Sequence, residues 1–478
     1  MDITATEQQR AQGLTGNIGT GSLFFTVLAY TAPLAASVGF LPVIVAFGNQ
    51  LGAPDSIIIA GVILALFSVG FLVMSKRLAK PGGFYAFITA GLGRVPGLGA
   101  SFIATVSYFF LLIGNYAYGG ITLEALVHDT FHGPDVKWWV WILVFQVAVG
   151  VLGYLRLELS ARVLSVLLAA EILIVLVYDA FVVGKGGASG LSATSFTPHA
   201  AVQGSLGLGL MFAVTGFGGF EATVIFREEV RTPDRTIPRA TYLVVGVITV
   251  LYTLGTWAFV QAYGNAHVVS AAQDPTGSFL ASVTQYVGKA GYDVVTVLVN
   301  TSIFACGLSA HSITSRYVYN LSSDKILPAP LSAVHHKHGS PYRASILVSV
   351  LAFAALGLLA ILGANPTTLY AQLIGVYGYS LVILLLVATV AVAAYLWRRR
   401  TAAGVTPWNS LVTPVLAFIG LAIVAYLSTK NFATLLSGSQ DLANGFLIAF
   451  YAIAALGCAL ALVFRRLRPD TYARIGRQ

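Results

Sequence analysis

The chain has 478 residues, of which 57% are hydrophobic and 9% charged, against roughly 25% charged in an average soluble domain, which excludes a water-soluble globule. At about 20 apolar residues per crossing, this composition supplies on the order of a dozen spans and predicts an all-α, polytopic protein whose first partner is the lipid bilayer. The net charge of +9 is expected from Lys and Arg gathered in loops on one side of the membrane, not from a nucleic-acid surface.

In chain order, residues 1–21 read as a cytoplasmic N-terminal tail. Asp2, Glu7 and a polar run to Gln12 lack the apolar core and small-residue site of a cleaved signal peptide, so the first helix is expected to be retained. Long apolar runs at about 22–47, 56–75, 97–128, 138–154 and 160–184 form a first five-helix set over 22–184. A second set, at about 204–226, 239–263, 291–320, 343–363 and 368–397, fills 204–397. Helices at 411–428 and 443–464 make up 411–464, and a basic cytoplasmic tail occupies 465–478. Segment starts of the second set follow those of the first at offsets of 182 to 208, the growth reflecting a longer outer loop near 264–290. Because five is odd, the second set must run opposite to the first, the inverted-repeat plan of many secondary transporters. With alternate loops assigned to opposite sides, 23 of the 27 Lys and Arg collect on one side, leaving Lys137, Lys185, Lys289 and Lys430 on the other. Both termini are therefore predicted to be cytoplasmic. Cys306 and Cys458 lie in apolar runs and offer neither a disulfide framework nor a metal site.

An unpaired backbone group in hydrocarbon costs several kcal/mol, so interruptions of membrane helices point to cavities. The first segment carries Thr31-Ala32-Pro33-Leu34-Ala35, with ten residues from Leu23 to Ala32 before the proline, about 15 Å along a helix and half a bilayer. The sixth carries Thr215-Gly216-Phe217-Gly218-Gly219-Phe220-Glu221, also near the midplane. These interruptions open the two sets at corresponding positions, the best sequence pointer to a transporter site. Taken singly, a Pro kink or a Gly-rich packing stretch would explain either one. The glycine run Gly16 to Gly21 is too polar upstream for a half-helix in lipid and is expected at the membrane entrance.

Several stretches resemble the amino acid, polyamine and organocation permeases. Phe212-Ala213 with Gly216 to Glu221, Glu228-Glu229-Val230-Arg231-Thr232-Pro233 and Arg235-Thr236-Ile237-Pro238-Arg239-Ala240 are similar to their sixth-helix signature and the loop after it. Pro81-Gly82-Gly83-Phe84-Tyr85 with Gly91 to Arg94 resembles an inner loop, and Ser315-Arg316, Asp324-Lys325, Leu327-Pro328 and Ser340-Pro341 resemble the loop after the eighth helix. The resemblance, closest to bacterial basic amino acid and polyamine transporters, implies a LeuT-like five-plus-five core with two extra C-terminal helices. It implies that Thr31, Ala32, Pro33, Leu34 and Ala35 offer amide N–H groups to a substrate carboxylate, while carbonyls around Thr215, Gly216, Phe217, Gly218 and Gly219 hold its ammonium. Helix-end charges meeting opposite substrate charges give the physical reason. Where most amino-acid members have a Gly-Ser-Gly type run, this chain has Pro33, which cannot donate; similar prolines occur in polyamine-importing relatives. N–H groups from Leu34 to Ser37 remain to serve.

Glu171, near the centre of the fifth segment, should pair or be protonated. Three roles are open to it: proton carrier, contact for a cationic substrate, or hydrogen-bonded structural acid. Some proton-coupled relatives resemble this chain but carry a lysine in this helix. Glu221 is expected to fasten the second half of the broken sixth helix, and His311 to be a hydrogen-bonded core residue. His335-His336-Lys337-His338 reads as a solvated loop, not a metal site. Tyr108, Asn115, Tyr116, Asn300 and Tyr377 are further cavity candidates, Tyr116 as a gating or structural residue.

No Gly-x-Ser-x-Gly, His-Glu-x-x-His or Walker sequence appears, which argues against an enzyme or an ATP-driven pump, and no cofactor is expected. The reading is a secondary active permease moving amino acids across the cytoplasmic membrane by alternating access, with the proton as coupling ion. The alternatives are a polyamine or organic-amine importer or exchanger of the same fold and a non-transporting nutrient sensor. A sodium site between the first break and Ser309 and Ser312 is the alternative to proton coupling.

Overall fold

The computed structural model describes residues 19–78, 83–134, 136–155, 161–228, 230–336, 338–436 and 438–476. Residues 1–18 of the tail expected over 1–21, the first half of the run Gly16 to Gly21, Pro81, Gly82, Glu229 and Lys337 fall outside these residues, as do Arg10, Lys80, Arg156 and Arg477 of the charge count; Thr20 and Gly21 belong to the first helix. Among the described residues twelve helices are long and apolar enough to cross a membrane. They are α1 (Thr20–Phe47), α2 (Gln50–Ser75), α3 (Arg94–Thr130), α4 (Trp138–Leu155), α5 (Ser165–Gly184) and α6 (Leu206–Val224), then α7 (Pro233–Tyr263), α8 (Lys289–Ser323), α9 (Tyr342–Ile361), α10 (Thr368–Arg398), α11 (Trp408–Lys430) and α12 (Gln440–Leu467).

Apolar run and helix coincide to within a few residues except at two starts. Before residue 56, α2 has a 3-10 turn, Gln50–Gly52, and then Pro54 in its first helical turn, where a missing N–H costs nothing. Before residue 239, α7 has a polar first turn led by Pro233 and Asp234. Neither stretch is apolar enough to be read as membrane. Shorter helices the apolar pattern does not mark sit between spans, at Gly83–Leu92 and Ser278–Tyr286.

The two interrupted helices are the most enclosed. In the apolar windows of α1 and α6, 83% of residues are buried, against 22% in α4, 28% in α9 and 17% in α12. The outer helices thus keep apolar faces for lipid, as hydrocarbon contact requires. Helix α7 packs on α1, α2 and α5, while α3 packs on α4, α8, α10 and α12. Glycine permits the tightest of these contacts, for a Cβ on Gly457 of α12 would lie 2.8 Å from both Gly99 Cα and Leu98 O of α3.

Two motif stretches far apart in sequence meet at one end of the bundle. The Tyr85 hydroxyl donates to Asp324 Oδ2 at 2.9 Å and accepts from the Gly476 N–H at 2.7 Å. Burial first, and then the Asp324 carboxylate, push the Tyr85 phenol well above its ordinary range, so it stays a donor. Ile475 is buried in a small apolar cluster with Leu98 and Leu321, and the Arg94 guanidinium lies 5.2 Å over the Tyr472 ring. The C-terminal segment thereby ties the Gly83–Leu92 helix to α3 and α8.

Gly457→Leu forces a side chain onto backbone that cannot yield. We expect a loss of about 1–3 kcal/mol, read as a lower thermal-unfolding midpoint in detergent, with substrate affinity unchanged because the contact is remote from the cavity described next.

Candidate functional site

Helix α1 is two helices end to end. Thr20–Thr31 stops at Ala32, which adopts a left-handed conformation (φ 45, ψ 68), and the chain resumes at Pro33. The reason is local: a residue before proline is driven out of the right-handed helical region, and proline cannot donate to the preceding turn. Pro33 sits at the first position of the second half, where its fixed φ is favourable. In α6, the helix Leu206–Thr215 ends in a turn over Gly216 to Gly219, with Gly219 at φ 107, and a 3-10 helix, Phe220–Glu228, follows. A positive φ of that size suits glycine.

The two breaks face a common cavity of about 80 Å³, several times the roughly 15 Å³ that a single water needs. Thr31, Ala32 and Ala35 line it from α1, and Thr215, Gly216 and Gly218 from α6. Aromatic rings make up much of the remaining wall: Tyr30 and Phe40 of α1, Tyr118 of α3, and Tyr370 and Tyr377 of α10. Tyr118 and Tyr370 are stacked with centroids 4.4 Å apart. Asn115 and Cys306 complete the polar lining, which holds no Lys, Arg, His, Asp or Glu. Pro33, Leu34, Phe217 and Gly219 belong to the breaks but are not part of this lining.

A carboxylate stands behind each break. Glu171 of α5 is 5% exposed; its Oε2 accepts the Ser302 hydroxyl at 2.8 Å and the Leu34 N–H at 3.4 Å, and the Ser302 Oγ accepts the Ala35 N–H at 3.4 Å. A side chain of α5 and one of α8 thus cap the second half of α1, satisfying donors that would otherwise be orphaned. Glu221 of α6, equally buried, accepts the Tyr108 hydroxyl on Oε1 at 2.7 Å and the Gly219 N–H on Oε2 at 3.0 Å. The opposite end of the first break faces α7, where the Tyr252 hydroxyl donates to Thr31 O at 3.5 Å.

Other expected positions lie elsewhere. Tyr116 is fully buried away from the cavity, its hydroxyl 3.3 Å from His311 Nδ1, while His311 Nε2 is 2.8 Å from Ser345 Oγ. Asn300 bonds to Thr122 between α8 and α3. Ser309 donates to Ala305 O in its own helix, so the α8 hydroxyl at the first break is that of Ser302. Among the described residues no group of three or more His, Cys, Asp or Glu is placed to hold a metal. Sequence reasoning missed Ser302, Cys306, Tyr118, Tyr252 and Tyr370, and also Asp179, whose two carboxylate oxygens are buried without a partner eight residues beyond Glu171. Only Asp179 carries a signal readable in sequence, a charge inside the apolar run Val175 to Val183.

The amino acid permease family model matches residues 25–469. The low-affinity putrescine importer PlaP of Escherichia coli is 25% identical over 323 residues, covering 65% of this chain and 69% of that protein. An uncharacterized transporter of Mycobacterium tuberculosis is 26% identical over 343 residues, covering 70% and 71%. The branched-chain amino acid permease BcaP of Bacillus subtilis is 27% identical over 215 residues, 42% of each chain.

Two experiments probe the cavity. A Cβ on Gly218 would run into the Tyr377 hydroxyl, so Gly218→Leu should fill the space and reduce substrate binding at least ten-fold while the protein still folds; parent-like binding would move the site elsewhere. In a Cys458→Ser background, a small methanethiosulfonate reagent should block binding through Cys306, and bound substrate should slow that reaction.

Proposed function

The chain belongs to the amino acid permease family, and from that premise we propose that it carries a small ammonium-bearing solute, in the first instance an amino acid, through the cytoplasmic membrane by alternating access around the cavity between the two breaks, with the proton as coupling ion. The observation that carries the reading is the convergence of both helix interruptions on one cavity, with a buried carboxylate at each. Carbonyls at the end of the first half of α1 and around the α6 turn offer acceptors for an ammonium, and the rings of Tyr30, Tyr118 and Tyr370 add cation–π attraction. The division of Lys and Arg, 23 against four, supports an orientation with both termini in the cytoplasm. The similarity to PlaP and the proline in the first break favour an organic amine as a second reading.

Coupling is assigned to Glu171. Ionised, it holds the second half of α1 to α5 and α8 through charge-assisted bonds worth about 2 kcal/mol. Protonation weakens that attachment, shifting the balance between two arrangements of α1 roughly thirty-fold. A proton site linked in this way to a moving half-helix meets the requirement that coupling needs different affinity in the two states.

Purified protein in liposomes with an inside-alkaline gradient and no sodium should accumulate substrate. Glu171→Gln, which keeps the shape of the protonated acid, should retain substrate exchange and lose gradient-driven accumulation. Accumulation by the variant as steep as by the parent would assign coupling to another group.

A further inference from the structure

At the start of the second half of α1 the donors can be accounted for one by one. Pro33 has none, the Leu34 N–H goes to Glu171 Oε2, the Ala35 N–H goes to Ser302 Oγ, and the Ala36 N–H returns to Ala32 O at 2.9 Å. At the second break the N–H groups of Gly216, Phe217 and Gly218 return to carbonyls of the preceding turn, and that of Gly219 ends on Glu221. No amide at either break is left for a solute. The first break has a donor capacity of two, and one carboxylate with its serine relay holds both.

Among the described residues no cation is a neighbour of Glu171. From α7 it faces Tyr252, from α8 it faces Cys306 beside Ser302, and from α1 it meets backbone. The helix Ser278–Tyr286 meets α5 further along, at Tyr178, and Asp179 lies about 12 Å away on the same helix. Among the described residues the ion pairs are His128–Asp129, Arg227–Asp234 and Lys289–Asp293, none of them at the cavity. Two carboxylates on one helix start, with no cation between them, cannot both stay ionised.

We propose that Glu171 is a built-in competitor for the substrate's carboxylate: it occupies the anion site of the first break, and a solute carboxylate takes the Leu34 and Ala35 amides only when a proton has neutralised Glu171. One carboxylate replaces another at the same helix start, and the proton that leaves water stays on the Glu171 oxygen. Binding of a carboxylate-bearing solute therefore takes up one proton. An amine without a carboxylate gains nothing from that protonation and loses the attraction of an ionised Glu171. This makes Glu171 a specificity-determining residue for amino acids over their decarboxylated amines and gives the coupling a fixed ratio. The inference rests on the cavity being the transport site, and its test is an equilibrium one, separate from accumulation.

The experiment measures binding to the purified full chain, by calorimetry or thermal shift, at a series of pH values for matched probes: leucine, leucine methyl ester and isoamylamine, and ornithine with putrescine. The amino acid of the preferred pair should tighten as pH falls, approaching ten-fold per pH unit while Glu171 of the empty protein is ionised. Its ester and amine should show no such gain. In Glu171→Gln the amino acid should bind with little dependence on pH. Three results overturn the inference: a pH-independent amino acid affinity in the parent, a pH dependence that persists in Glu171→Gln, or an amine that binds more tightly than its amino acid and weakens as pH falls. The last would make Glu171 an ammonium site. Should Glu171→Gln fail to fold, the contrast between amino acid and ester in the parent decides alone. If no probe of either kind binds, the cavity reading falls and this inference with it.

Discussion

A helix that stops inside a low-dielectric interior leaves donors and acceptors that water cannot reach, and everything at the centre of this protein answers that constraint. Each break must be satisfied by groups from other helices or from its own chain. For α1 these come from α5 and α8, through Glu171 and Ser302, and from α7 through Tyr252. For α6 they come from Glu221, itself held by Tyr108 of α3. The broken helices are therefore the most buried of the twelve, and the unbroken α4, α9 and α12 are left to face lipid.

The same constraint explains why the site is polar in an unusual sense. Its wall carries tyrosines, an asparagine, two threonines and a thiol, and no charged side chain. Ionic groups in direct contact with the cavity would need permanent partners. Placed at the half-helix ends, Glu171 and Glu221 meet backbone N–H groups and not the cavity itself.

How much of this was legible in the sequence follows from what apolar runs can and cannot report. The twelve crossings stood out because hydrocarbon demands length and apolarity, and the helices match the runs from α1 to α12. The breaks were legible because Pro33 and the Gly216–Gly219 turn are chemical punctuation. Partners were not. A membrane helix is apolar on every side, so periodicity does not say which face of α8 presents Ser302 to α1, or that Tyr116 turns toward His311 and away from the cavity. The charge of Glu171 singled it out but left three roles open, a structural one among them, and the distance to the Leu34 amide is what shows its capping position. Asp179 obeys the same rule as Glu171 and was overlooked beside it. The clasp of Tyr85, Asp324 and Gly476 joins residues hundreds of positions apart, beyond any local pattern.

The lack of a buried cation among the described residues near Glu171 has an electrical meaning. In the cycle proposed above, an ionised Glu171 gives the emptied site uncompensated negative charge through the half-helix rearrangement, and the membrane field acts on it with about 2.3 kcal/mol per elementary charge per 100 mV, scaled by the fraction of the field crossed. With proton and zwitterion aboard, the same rearrangement carries a different charge. In that cycle a potential across the membrane would weigh unequally on the loaded and the returning carrier, so that the voltage, as much as the solute concentration, would set which half of the cycle is slow.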